Sequence, residues 1–174
     1  MPRMNRLSID GIHDLYLSSH PLENVREGEE MKAVEGFIRE IKAYDIKTIV
    51  VLLPSHELHE LYGDIDLLQE YRNNQLRVIH FPLENFSTPE KTELFHECIR
   101  SIEESLGNEN VLIHCMAGCG RTGMMAAGVL VKLGWNATDA IEKVRYSRPG
   151  SMNVLRQILF LRSYQRYLSG EQQG

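Results

Sequence analysis

Residues 111–123 read VLIHCMAGCGRTG, and no other stretch of the chain gathers as much potential chemistry. Cys115 follows an apolar run, and five residues separate it from Arg121, with Gly118, Gly120 and Gly123 in the same turn. Cysteine is a nucleophile as the thiolate, and an isolated thiol keeps its proton at neutral pH. Three features here favour negative charge. A helix starting near Arg121 would direct its positive end at Cys115. The loop Met116-Ala117-Gly118-Cys119-Gly120 can turn its backbone N–H groups inward, because glycine tolerates the left-handed turns that such a nest requires. Arg121 adds a fixed cation whose planar fork suits two oxygens of a phosphate. A ring of N–H donors with a guanidinium is an oxyanion site, and a thiolate at its floor can attack the phosphorus held there. The plainer alternative is a cysteine that merely packs in a strand-to-helix turn. The strand before it, the glycines within, His114 ahead and Thr122 behind weigh against that.

The elements that must position this corner alternate along the chain. LSIDG (7–11) and LYLSS (15–19) are short strand candidates, and Glu30–Ala43 places Val34, Phe37, Ile38 and Ile41 at helical spacing. DIKTIVVLLP (45–54) reads as a strand buried on both faces and stopped by Pro54. SHELHEL (55–61) and DIDLLQEYRNN (64–74) read as short helices, and LRVIHFPL (76–83) as a strand. Thr88-Pro89 offers a helix cap and first turn, with the helix running to Leu106. The strand NVLIHC (110–115), a helix from Arg121 to about Leu133 closed by Gly134, a helix opened by NATD (136–139) and one from Met152 to Leu168 complete the pattern. Strands alternating with helices imply an α/β fold, a mostly parallel sheet flanked by helices on both faces. In such sheets ligands sit beyond the carboxyl ends of the strands, which is where Cys115 falls.

The 174 residues, 43% hydrophobic and 25% charged, fit one soluble globular domain, expected over 1–168 with a flexible tail at 169–174. A net charge of −5 argues against a general nucleic-acid or acidic-membrane binder. Three cysteines, Cys98, Cys115 and Cys119, are too few for a disulfide framework and suggest a reducing compartment. No apolar run approaches a membrane span and the first residues hold no signal-peptide core, so a cytoplasmic monomer without membrane anchor is expected.

HCMAGCGRTG resembles the phosphate-binding loop of the protein-tyrosine phosphatase superfamily: His-Cys, five residues, Arg, then Ser or Thr. The resemblance implies that Cys115 forms a cysteinyl-phosphate and that Met116, Ala117, Gly118, Cys119, Gly120 and Arg121 bind phosphate. It further implies that Thr122 assists breakdown of the intermediate and that His114 orients the loop. The short chain fits the compact dual-specificity architecture. ELHELYGDIDLLQEYRNNQLRVIHFPLENFSTPE (57–90) and RPGSMNVLRQILFL (148–161) are similar to the cyclin-dependent-kinase-associated phosphatase branch. By the same resemblance Gln157 positions the attacking water, against an exposed helical glutamine as the plain reading. Asn153 stands where the family often has a second glutamine, and could substitute for it. Arg145 and Arg148 could line the pocket rim or make surface ion pairs.

The pattern breaks at the acid. The family donates a proton to the departing oxygen from an aspartate in a Pro-x-x-Asp stretch about thirty residues before the cysteine, a step of the kind worth ~10²–10⁴ in rate. Here, in FPLENFSTPE, that position is Asn85. Either Glu84 takes over as acid, or Asn85 is an engineered replacement, or the protein is natively slow. An exposed loop glutamate is more often simply solvated. The expected activity is a cysteine-dependent phosphomonoesterase acting on phosphorylated protein or peptide. The alternatives are a phosphoprotein-binding module with little turnover and a phosphoinositide phosphatase. Met116 and Cys119 stand where the phosphoinositide branch carries lysines, which disfavours a highly charged headgroup. Cys119 could trap an oxidised Cys115 as a disulfide, and Cys98 reads as core. His56, His59, His80 and His96 lack convincing metal-ligand spacing, so neither metal nor cofactor is expected.

Overall fold

A strand buried on both faces must be apolar at odd and even positions alike, and three segments of this chain come close to that rule. In the computed structural model, which describes residues 2–171, they form the middle of a five-stranded sheet. The strands are β1 (Asn5–Leu7), β2 (Leu15–Ser18), β3 (Ile46–Val51), β4 (Arg77–His80) and β5 (Asn110–His114), in the order β1-β2-β5-β3-β4. Only the β1–β2 pair is antiparallel. Side chains alternate between two cores. Leu15, Leu17, Val50, Val111 and Ile113 enter one; Tyr16, Ile49, Val51 and Leu112 enter the other.

The first core is covered by α4 (Thr92–Leu106), α5 (Gly120–Lys132), α6 (Ala137–Ser147) and α7 (Leu155–Glu171). The second is covered by α1 (Glu30–Ala43), α2 (Ser55–Tyr62) and α3 (Leu67–Asn73). The four apolar residues expected on one face of α1 are all buried, each contributing roughly 1.5–3 kcal/mol of transfer free energy. No helix among the described residues is long and apolar enough to cross a membrane. The architecture is the expected α/β one.

The pairing register decides where the loops go. Ser18 of β2 lies opposite His114 of β5, His114 opposite Val51 of β3, and Val51 opposite His80 of β4. Four parallel strands therefore end level, and the segments leaving them share one rim. The central helix α5 is buried from Arg121 to Val131, which a lone amphipathic helix could not tolerate. Gly128 explains how it fits. A β-carbon there would lie 2.6 Å from the Phe95 ring of α4, so the glycine allows the two helices to approach despite its intrinsic cost of about 1 kcal/mol.

Two expected boundaries move. The helix assigned to start at Thr88-Pro89 begins at Thr92, with Lys91 at its cap. The intervening chain is committed elsewhere: the Ser87 carbonyl accepts a hydrogen bond from Gln157, Pro89 is buried, and a residue preceding proline disfavours helical backbone. Of the tail expected over 169–174, residues 169–171 belong to α7, which continues through Glu171; residues 172–174 lie outside the described residues.

Gly128→Ala should lower unfolding stability by about 1–3 kcal/mol through overpacking against Phe95, measured by urea denaturation.

Candidate active site

Each segment leaving the level rim brings one part of a site. The segment after β5 is the loop 115–120 at the start of α5, with Cys119 at the cap position. Cys115 is 3% exposed, and its Sγ accepts a hydrogen bond from the Gly118 amide at 3.3 Å. The loop needs glycine at 118 for two reasons. Its φ is +71°, and a β-carbon would lie 2.2 Å from the Ser18 carbonyl oxygen. The segment after β2 thus forms the wall against which the loop is folded, and the His20 amide donates to the Met116 carbonyl at 3.2 Å.

The segment after β3 supplies a group that spacing did not reveal. Glu57, in the first turn of α2, is buried and accepts from Arg121 Nη1 at 3.0 Å on both carboxylate oxygens. The segment after β4 adds a third acceptor, the Leu83 carbonyl, at 2.8 Å from the same nitrogen. Arg121 is itself only 2% exposed. Every hydrogen bond its side chain makes among the described residues starts from Nη1. The Nε–Nη2 edge, the part of the fork that matches two oxygens of a phosphate, is left for a ligand.

A helix start, a loop amide directed at a buried sulfur and a held guanidinium with one edge unused meet at one point, an arrangement that favours negative charge. Residues 25–135 match the family model described as "Polymorphic toxin system, DSP-PTPase phosphatase". The chain belongs to this phosphatase family. It is 26% identical over 132 residues to the PRL-1 phosphatase of Drosophila melanogaster, covering 75% of this chain and 70% of that one. Two mammalian relatives are much longer, and the chain spans only 23% and 21% of their lengths. Among solved structures, a mutant form of Tk-PTP aligns with a TM-score of 0.72 at 29% identity, covering 95% of this chain and 97% of that one. Kinase associated phosphatase aligns with a TM-score of 0.84 at 24% identity, covering 97% and 96%; at that identity the likeness concerns the fold. The chain is thus a phosphatase of the dual-specificity type, a hydrolase by family.

Around the phosphatase loop the other expected residues fall into place unevenly. Gln157 is fully buried, not an exposed helical glutamine. Its Nε2 donates to the Ser87 carbonyl at 3.0 Å, and its Oε1 lies 3.3 Å from where a β-carbon on Gly120 would stand. That Oε1 and the Thr122 Oγ1 are buried without a protein partner among the described residues, as groups reserved for water or ligand would be. His114 is buried, and its Nε2 meets the Tyr71 hydroxyl at 3.1 Å. Burial pushes its pKa down to about 3.

Glu84 and Asn85 are both exposed. They sit in a turn anchored on each side by site residues, Leu83 through Arg121 and Ser87 through Gln157. Asn85 folds its Oδ1 back to accept from the Phe86 amide, while Glu84 faces His56 Nε2 at 3.5 Å.

The remaining residues named from the sequence have other partners. Asn153 is exposed and donates to the Gly150 carbonyl, so it closes its own turn rather than replacing a glutamine. Arg145 holds Glu142 and the Met152 carbonyl, and Arg148 holds Asn5, the Arg3 carbonyl and the Ala117 carbonyl. Arg148 braces the loop from outside at Ala117, while Arg145 makes a surface ion pair with Glu142 and holds the neighbouring turn at Met152. The Cys119 thiol lies 3.5 Å from the Ala117 carbonyl, and Cys98 is core, its thiol pushed up to about 12 by burial.

Removing Glu57 should leave a buried, uncompensated cation. Glu57→Ala is expected to cost about 3–5 kcal/mol of stability and to lower kcat/KM, read by denaturation and aryl phosphate hydrolysis. Acid should also act through His114. Between its ordinary 6.5 and about 3 the unfolded state binds the proton and the native state does not. Its contribution is whole above pH 6.5 and lost as pH falls, by at most ~1.4 kcal/mol per pH unit. His114→Asn should flatten the fall of Tm between pH 7 and 5; an unchanged slope would assign the loss to other groups.

Proposed function

We propose that the protein is a cysteine-dependent phosphomonoesterase acting on phosphorylated proteins or peptides through a cysteinyl-phosphate. The observation that carries this reading is the buried Cys115 sulfur, hydrogen-bonded by a loop amide beside an arginine whose phosphate-matching edge is unused. Cys115 Sγ attacks phosphorus, forming the S–P bond while the P–O bond to the alcohol breaks. Loop amides of 116–120 and Arg121 stabilise the charge on the equatorial oxygens. The departing oxygen takes a proton from Glu84, the one carboxylic acid in the anchored turn 82–87. Water then attacks the phosphorus, held by Gln157 Oε1, and Thr122 assists release of the Cys115 thiolate. A neutral His114 orients the loop from behind without adding charge.

The substrate class follows from the charges at the loop. Positions 116 and 119 are methionine and cysteine, so these two loop positions offer no extra cations for a multiply phosphorylated inositol. A phosphorylated protein side chain needs only the one phosphate site. Asn85 supports a second reading, a phosphoprotein-binding module with little turnover, because an amide cannot donate the proton a leaving alcohol needs.

Steady-state hydrolysis of aryl phosphates separates the two. The enzyme reading expects turnover that Cys115→Ser abolishes. Phosphopeptide affinity without Cys115-dependent turnover would establish the binding module. With Glu84 as acid, Glu84→Gln should steepen the dependence of rate on leaving-group pKa, slowing poor leaving groups by ~10²-fold or more. A profile unchanged by Glu84→Gln would remove Glu84 from that role.

A further inference from the structure

Beside the phosphate loop lies a second convergence of side chains that no step above uses in full. A ring nitrogen of His56 and one carboxylate oxygen each from Glu57 and Glu84 all lie within 4.8 Å of one another. His56 and Glu57 come from the first turn of α2, and Glu84 from the turn after β4, so two separate segments meet there. The geometry points to a binding site for a borderline divalent cation of the zinc class, held by these three residues with water in the remaining position.

The donor set fits that ion. One imidazole and two carboxylates match three-ligand zinc sites, with metal–ligand distances of about 2.0–2.2 Å. In a tetrahedron those distances place ligand atoms roughly 3.4 Å apart. His56 Nε2 and Glu84 Oε2 already stand 3.5 Å apart. The longer separations close by rotation of the two outer side chains, which are 61% and 64% exposed and free to turn. Glu57 is the fixed member. Its oxygens are occupied by Arg121 Nη1 at 3.0 Å each, but an ionised carboxylate has about four lone-pair directions. The two bonds to Arg121 use one direction on each oxygen, so coordination by Glu57 would share the carboxylate with the arginine. The start of α2 opposes a cation by ~0.3–1 kcal/mol, and the Arg121 guanidinium on the same Glu57 carboxylate opposes it as well, against which stand the carboxylates of Glu57 and Glu84.

The consequence for turnover rests on the phosphatase reading. A metal on Glu84 takes that carboxyl out of proton donation and fastens the turn 82–87 to α2. The site is therefore an inhibitory one, acting through the acid rather than through the nucleophile.

The test is kept independent of turnover by using full-length protein carrying Cys115→Ser and Cys119→Ser, which removes the thiols of the loop. Zinc chloride titrated calorimetrically into this background should bind with one equivalent. His56→Ala and Glu84→Gln, added singly, should each weaken that binding by roughly tenfold or more. Magnesium chloride should show no comparable binding, since it prefers octahedral oxygen sites. Absence of zinc binding to the background overturns the site, as does either variant binding zinc like the background, or magnesium binding as tightly. Because both residues are exposed, a melting curve for each variant is expected to match the background. A failure of the phosphatase reading would leave these binding results intact.

Discussion

Arg121 is a buried guanidinium whose cost of desolvation must be met in place. Glu57 meets it with two hydrogen bonds at 3.0 Å, and the Leu83 carbonyl adds a third at 2.8 Å. Through one nitrogen, three segments that are remote in sequence become a single unit: the phosphate loop with α5, the start of α2, and the turn after β4. The level strand ends bring those segments near each other. The ion pair fixes them in a geometry that leaves the Nε–Nη2 edge of the guanidinium unused among the described residues.

The surroundings follow from that constraint. A loop drawn toward Arg121 must pass close to the end of β2, so position 118 admits only glycine against the Ser18 carbonyl. Arg148 holds the loop's outer carbonyl at Ala117, and Gln157 grips Ser87 while its amide stands 3.3 Å from where a β-carbon at 120 would lie. The turn carrying Glu84 and Asn85 is thus fastened at both ends, by Arg121 and by Gln157. Donors set in advance cost little reorganisation when charge develops on a bound phosphoryl group.

What could be read from the sequence was what is contiguous. Cys115, the loop glycines and Arg121 occupy seven successive positions, and α1 has a clean helical stripe; both were legible. Glu57 was not, because its partner lies far along the chain and SHELHEL offers no sign that one of its glutamates is buried. The Leu83 carbonyl has no side-chain signature at all. Gln157 could be named only by resemblance, since nothing in RQILFL says that its glutamine points inward. The start of α4 was misplaced for a related reason: a local cap signal at Thr88-Pro89 was overridden by a tertiary hydrogen bond to Ser87. The cluster of His56, Glu57 and Glu84 was likewise invisible to ligand spacing, because its third member comes from another segment.

The central claim is that Cys115 carries the phosphoryl group. The most direct measurement is mass spectrometry of protein acid-quenched during turnover of an aryl phosphate, followed by mapping of the modified peptide. The account predicts a phosphoryl adduct on Cys115 that is absent in Cys115→Ser. Sustained turnover with no adduct on Cys115, or with the phosphate on another residue, would contradict it.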